Sequence, residues 1–175
     1  MKKYLFFLLP LVGLLLLGNC KKALGIVAFE VDDTVLVPMP ATAGGGPVLA
    51  AVSVTTTAPA TYAANKATAD NVQEARPRRL ARAVANPTTQ NFDFLERVEV
   101  YISKDAAGTT KTKLAALYTV PRGQTTIELT PTDSPVDTYL SGSTYWLLIT
   151  AGLAQPLPQN TTLRADARFY VRSQQ

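Results

Sequence analysis

The chain has 175 residues, one cysteine and no histidine, and its 17 basic side chains outnumber its 13 acidic ones by four. Without imidazole there is no Ser-His-Asp or Cys-His nucleophilic system and no supply of the commonest transition-metal ligand. One thiol allows neither an internal disulfide nor a Cys/His zinc site. The length suits a single domain whose packing alone can hold it together.

The first segment is Met1-Lys2-Lys3, an apolar run from Tyr4 to Leu17, and then Gly18-Asn19-Cys20. A charged start, a short apolar stretch and small residues before a cut site form the order of an export signal. The run falls short of the roughly 20 residues that cross a bilayer comfortably. Leu17-Gly18-Asn19-Cys20 resembles the bacterial lipobox, matching it at Leu17, Gly18 and Cys20. The resemblance implies that Cys20 receives a diacylglycerol, that a peptidase cuts just before it, and that the new N-terminus is then open to acylation. It also implies a signal peptide over 1–19, which leaves a lipidated tether over 20–23; the domain over 24–175 is read from the pattern that follows, not from the resemblance. More than one acyl chain is what stable membrane anchoring requires. Lys21 after Cys20 is similar to the sorting preference of enterobacterial lipoproteins bound for the outer rather than the inner membrane. Cleavage removes Lys2 and Lys3, so the formal charge of +4 falls to +2. That is too near neutral for a dedicated nucleic-acid face.

From residue 24 onward the apolar pattern has period 2, which predicts strands. Phe29, Val31, Val35 and Val37 share one face of a first strand, where Asp33 interrupts them and suggests a bulge or an end. Gly44-Gly45-Gly46-Pro47 marks a turn, and Val48, Ala50, Val52 and Val54 line a second strand. Thr55 to Thr61 reads as a loop, and the Ala-rich stretch Ala63 to Glu74 as a helix closed by Pro77. A strand with poorly separated faces follows from Leu80 to Asn86. Val98, Val100 and Ile102 alternate with Arg97, Glu99, Tyr101 and Ser103, and Lys113 to Thr119 is the expected hairpin partner across Asp105 to Gly108.

Ile127 and Leu129 mark a short strand, and Asp133-Ser134-Pro135 opens a short helix that ends at Ser141-Gly142. Tyr145 to Thr150 is apolar on both faces, which predicts a central strand with Trp146 as a core anchor. In the last strand Leu163, Ala165, Ala167, Phe169 and Val171 alternate with polar residues. The whole predicts an all-β fold, an immunoglobulin-like β-sandwich of about eight strands with one or two short helices.

Candidate functional residues are few, and no cofactor or metal set is expected. Arg76, Arg78, Arg79 and Arg82 form the one basic cluster, with Arg78 and Arg82 on a common face if the strand begins by Arg78. Their guanidinium forks suit an anionic envelope polymer or the phosphates of outer-leaflet glycolipid. The polar face of the last strand, with Arg164, Asp166, Arg168 and Tyr170, suits cross-strand ion pairing and is the best candidate for a polar binding face. The reading is therefore an envelope lipoprotein that binds or scaffolds an envelope protein or polysaccharide and is not an enzyme. The alternatives are a carbohydrate-active enzyme using Asp93 with Glu96 or Glu99, and an adhesin or fibre subunit that pairs through an exposed strand.

Overall fold

The computed structural model describes residues 25–43 and 46–174. The leader, Cys20, its tether and the Gly44-Gly45 turn lie outside the described residues. Eight strands follow one another as β1 (Ile26–Met39), β2 (Pro47–Thr55), β3 (Val72–Asn86), β4 (Leu95–Ser103), β5 (Lys111–Leu117), β6 (Thr126–Pro131), β7 (Thr144–Leu153) and β8 (Thr161–Gln174). Two short helices, α1 (Ala58–Ala64) and α2 (Asp137–Leu140), pack at the margins.

The strands are ordered β1-β8-β3-β6-β5-β4-β7-β2 and every pairing is antiparallel. The first four form one layer and the last four the other. Among the described residues, the strand pairing that joins the layers is Ala115 with Pro131 and Ala116 with Thr130, where β5 meets β6. The chain is thus an all-β sandwich, as expected, but its connectivity is not immunoglobulin-like. The pairs β1–β8, β2–β7, β3–β6 and β4–β5 nest from the outside in, like one long ribbon folded at its middle. Wrapping that ribbon adds the β3–β8 and β4–β7 pairings and produces a jelly roll of two Greek keys. An immunoglobulin sandwich instead seats its first two strands side by side in one sheet. Here β1 and β2 lie in different sheets, and β4–β5 is the one consecutive pair that stays within a layer.

The inner faces obey the period-2 pattern. Leu163, Ala165, Ala167, Phe169 and Val171 of β8 are all buried, as are Val98, Val100 and Ile102 of β4 and Ile127 and Leu129 of β6. Phe92, Phe94 and Leu95 close one end of the core, beginning in a 3-10 turn where the Asn91 side chain accepts the Asp93 amide. On β7 the inward residues are Tyr145, Leu147 and Ile149, with Tyr145 edge-on to Phe169 at 6.1 Å between ring centroids. Trp146 and Leu148 point the other way and are only partly buried, so Trp146 is not the core anchor the sequence suggests. A strand apolar on both faces does not reveal which face meets the second sheet.

Four further expectations are corrected. The helix is Ala58–Ala64, beginning inside the stretch expected to be a loop and ending at the start of the stretch expected to be helical, because Thr56 Oγ1 accepts the Ala58 amide and a proline falls in the first turn where its missing N–H costs nothing. The stretch expected to be helical instead enters β3 at Val72, after Lys66 takes a positive φ of 54°. Pro77 does not close an element either; it lies buried within β3, at a register shift between Pro77 and Arg79. Asp33 marks neither a bulge nor an end, since β1 pairs with β8 without interruption from Ile26 to Met39.

Candidate functional site

The outer face of the β1-β8-β3-β6 sheet carries a lattice of guanidinium and carboxylate groups. Arg168 on β8 grips Asp32 of β1 through Nε at 2.6 Å and Nη2 at 3.3 Å, and reaches Glu30 through Nη1 at 3.2 Å. Arg164 Nε bonds Asp166 at 2.9 Å, and Thr34 Oγ1 donates to the other Asp166 oxygen at 2.8 Å. On β3, Arg79 Nε bonds Glu128 of β6 at 3.0 Å, while Arg76 pairs with Glu74 and Asp133. Arg172 Nη1 joins Glu74 at 3.3 Å. The bond to Asp32 raises the Arg168 pKa above its ordinary value, and the bond to Glu74 does the same for Arg76. Exposed pairs of this kind contribute little to stability. Their effect is to orient the side chains.

Within this lattice Arg79, Arg164 and Arg168, with Asp32, Thr34 and Asp166, line a cleft of about 340 Å³. Its side chains remain accessible: Arg79 is 50%, Arg164 55% and Arg168 42% exposed. The walls are long charged side chains on strands β1, β8 and β3, and the register explains why they meet. Asp32 lies opposite Arg168, Thr34 opposite Asp166, and Arg79 opposite Arg168. Such a surface can hold a polar ligand through many directed hydrogen bonds.

Of the residues singled out from sequence, Arg164 and Arg168 line the cleft, and Tyr170 lies beside it, opposite Glu30 on β1 and Arg76 on β3. Arg78 is exposed but does not line it. Arg82 is a correction: it is 0% exposed, turned into the core opposite Ala165 and Ile127, and cannot meet a ligand on the surface. The register shift at Pro77–Arg79 changes the parity of β3, so Arg78 and Arg82 do not share a face. The same shift brings Arg79 to the cleft, a residue the alternation pattern left out. A proline inside a strand is the one sequence signal that points to such an irregularity.

None of the three Arg82 nitrogens has a hydrogen-bond partner, and burial lowers the group's pKa to about 10. A second interior polar group is Asp33. Its Oδ1 accepts the Thr57 amide at 2.7 Å, and its Oδ2 is buried without a hydrogen-bond partner. Burial pushes the Tyr62 phenol up to about 12, aided by the charges of Asp137 and Asp33; Tyr145 is raised further, by burial first and then by Asp33.

The carboxylates of the enzyme alternative have separate engagements. Asp93 accepts the Gly123 amide at 2.6 Å and the Asn91 side chain at 3.0 Å, holding a turn. Glu99 lies on the outer face of β4, where Lys113 Nζ at 2.7 Å depresses its pKa, and Tyr101 and Tyr118 also donate to it. Glu96 is exposed. Among the described residues no group of three or more Cys, Asp or Glu side chains could hold a metal ion.

No protein-family model matches the chain, and no curated protein matches it either. Among solved structures, a chain of desmodium yellow mottle tymovirus aligns over 90% of this chain and 92% of its own length, at 10% identity and a TM-score of 0.31. A likeness that low carries over no property.

Proposed function

We propose that the protein is an envelope lipoprotein, held by lipid on Cys20 at the outer membrane, whose sandwich is a binding module with the arginine-lined cleft as its binding face. The observation that carries the anchor is the leader ending Leu17-Gly18-Asn19-Cys20, only six residues ahead of Ile26 where β1 begins. Six residues reach about 20 Å at most. A lipid on Cys20 therefore keeps the β1 start and the paired β8 end close to the membrane surface, with the cleft on the sheet face alongside. The cleft supports a binding role because its arginines are oriented by carboxylates while staying half exposed. A strand-pairing role finds less support: the Asp32 carbonyl of edge strand β1 already accepts Thr57 Oγ1 at 2.9 Å, and Pro38 offers no N–H.

Cys20→Ser tests the anchor. The variant should lose metabolic labelling by fatty acid and leave the membrane fraction, and continued labelling would refute the reading.

A further inference from the structure

We infer that the cleft on the β1-β8-β3-β6 sheet takes a phosphate group, held between the guanidinium forks of Arg79 and Arg164. This rests on the reading of that face as the binding face. The hydrogen-bond pattern separates the three arginines. Arg168 spends all three nitrogens on Asp32 and Glu30. Arg164 bonds its carboxylate through Nε alone, and Arg79 does likewise. Each therefore keeps both terminal Nη groups for a ligand, while the Nε bond fixes the plane of the fork. Forks pre-oriented in this way suit oxyanions, because two parallel N–H donors match two oxygens.

Charge decides the strength expected. Three guanidiniums and the Asp32 and Asp166 carboxylates face the cleft, Asp33 with its buried carboxyl also lines it, and Glu30 and Glu128 hold Arg168 and Arg79 from beside it. Carboxylates outnumber guanidiniums around the cleft, so no long-range attraction draws an anion in and recognition comes from the forks alone. A phosphate offers more acceptor oxygens than a carboxylate to two forks approaching from different strands. The volume, about 340 Å³, also admits a sugar carrying that phosphate.

Calorimetric titration of the protein as extracted from membranes in detergent tests this with inorganic phosphate, glucose 1-phosphate, glucuronate and glucose. Both phosphates should bind saturably and glucose should not. Tighter binding of glucose 1-phosphate assigns the site to a phosphorylated glycan, and equal binding assigns it to phosphate alone. Arg79→Gln and Arg164→Gln should each weaken phosphate by about ten-fold. Arg79→Lys and Arg164→Lys should weaken it similarly, since an ammonium lacks the fork. Arg122→Gln, on a turn elsewhere, should change nothing, and melting temperatures confirm that every variant is folded. Unchanged phosphate affinity in the Arg79→Gln/Arg164→Gln double variant, or equal loss in Arg122→Gln, overturns the assignment. Glucuronate binding as tightly as phosphate overturns phosphate but keeps the binding face; no heat with any of the four removes the binding face as well.

Discussion

Arg82→Met should make the protein more stable. The guanidinium is fully buried and all three of its nitrogens lack a partner, so the folded state holds a cation with no compensation. Burial lowers its pKa to about 10, against an ordinary value above 12. At about 1.4 kcal/mol per pH unit this amounts to about 3 kcal/mol, comparable to the gain of about 1–4 kcal/mol when buried ion pairs give way to hydrophobes. Met keeps the unbranched stem and most of the volume, so no large cavity opens. Urea melts of the mature domain followed by Trp146 fluorescence should show a midpoint raised by about 1 M or more, given a slope of about 2 kcal/mol/M. The gain has a pH signature. Because the folded pKa lies below the unfolded one, the unfolded chain keeps the proton longer. The wild type then recovers stability as pH rises above about 10, and its difference from Arg82→Met narrows there. A loss of stability on Arg82→Met would mean that the guanidinium has an interior partner and that the reasoning is wrong.

Phe169→Ala should cost about 3–5 kcal/mol in the same melts, since the ring is buried against Tyr145, whereas Arg168→Ala next to it should leave the midpoint almost unmoved. Tyr62 has a folded pKa of about 12, above the unfolded value near 10, so its contribution is complete below pH 10 and is lost as pH climbs towards 12. Tyr62→Phe should flatten that alkaline decline, and an unchanged slope would count against the assigned burial. Gly108 has φ of +69°, and a Cβ there would lie 2.5 Å from Leu148 Cδ1. Gly108→Ala should therefore destabilise the β4–β5 turn by about 1 kcal/mol or more, and a neutral melt would contradict the turn geometry.

What the sequence showed and what it hid divide along the range of the interactions. The β8 alternation from Leu163 to Val171 and the β4–β5 hairpin around Gly108 are visible because period 2 and turn residues are local signals. Strand order is not local. The pairing of Val31 with Phe169 depends on which sheet each strand joins, and no periodicity encodes it, so alternation alone does not separate a jelly roll from an immunoglobulin-like sandwich. The side taken by Trp146 is hidden for a related reason: both faces of β7 are apolar, and only the opposing sheet decides which is inside. At the site, the β8 face of Arg164 and Arg168 was legible because that strand keeps its parity throughout. Regular alternation puts Arg82 on the same face as Arg78, and it fails there because the irregularity at Pro77 resets parity in mid-strand. Asp33 looked like an interruption because a buried carboxylate makes sense only beside the Thr57 amide, 24 residues away.

The anchor is the claim on which the proposed location and orientation depend, and the mass of the mature N-terminus tests it directly. Protein extracted from bacterial membranes should yield a first tryptic peptide that begins at Cys20 and carries a diacylglycerol mass, with residues 1–19 gone. A peptide that retains the leader, or one that begins beyond Cys20 without lipid, would contradict the account.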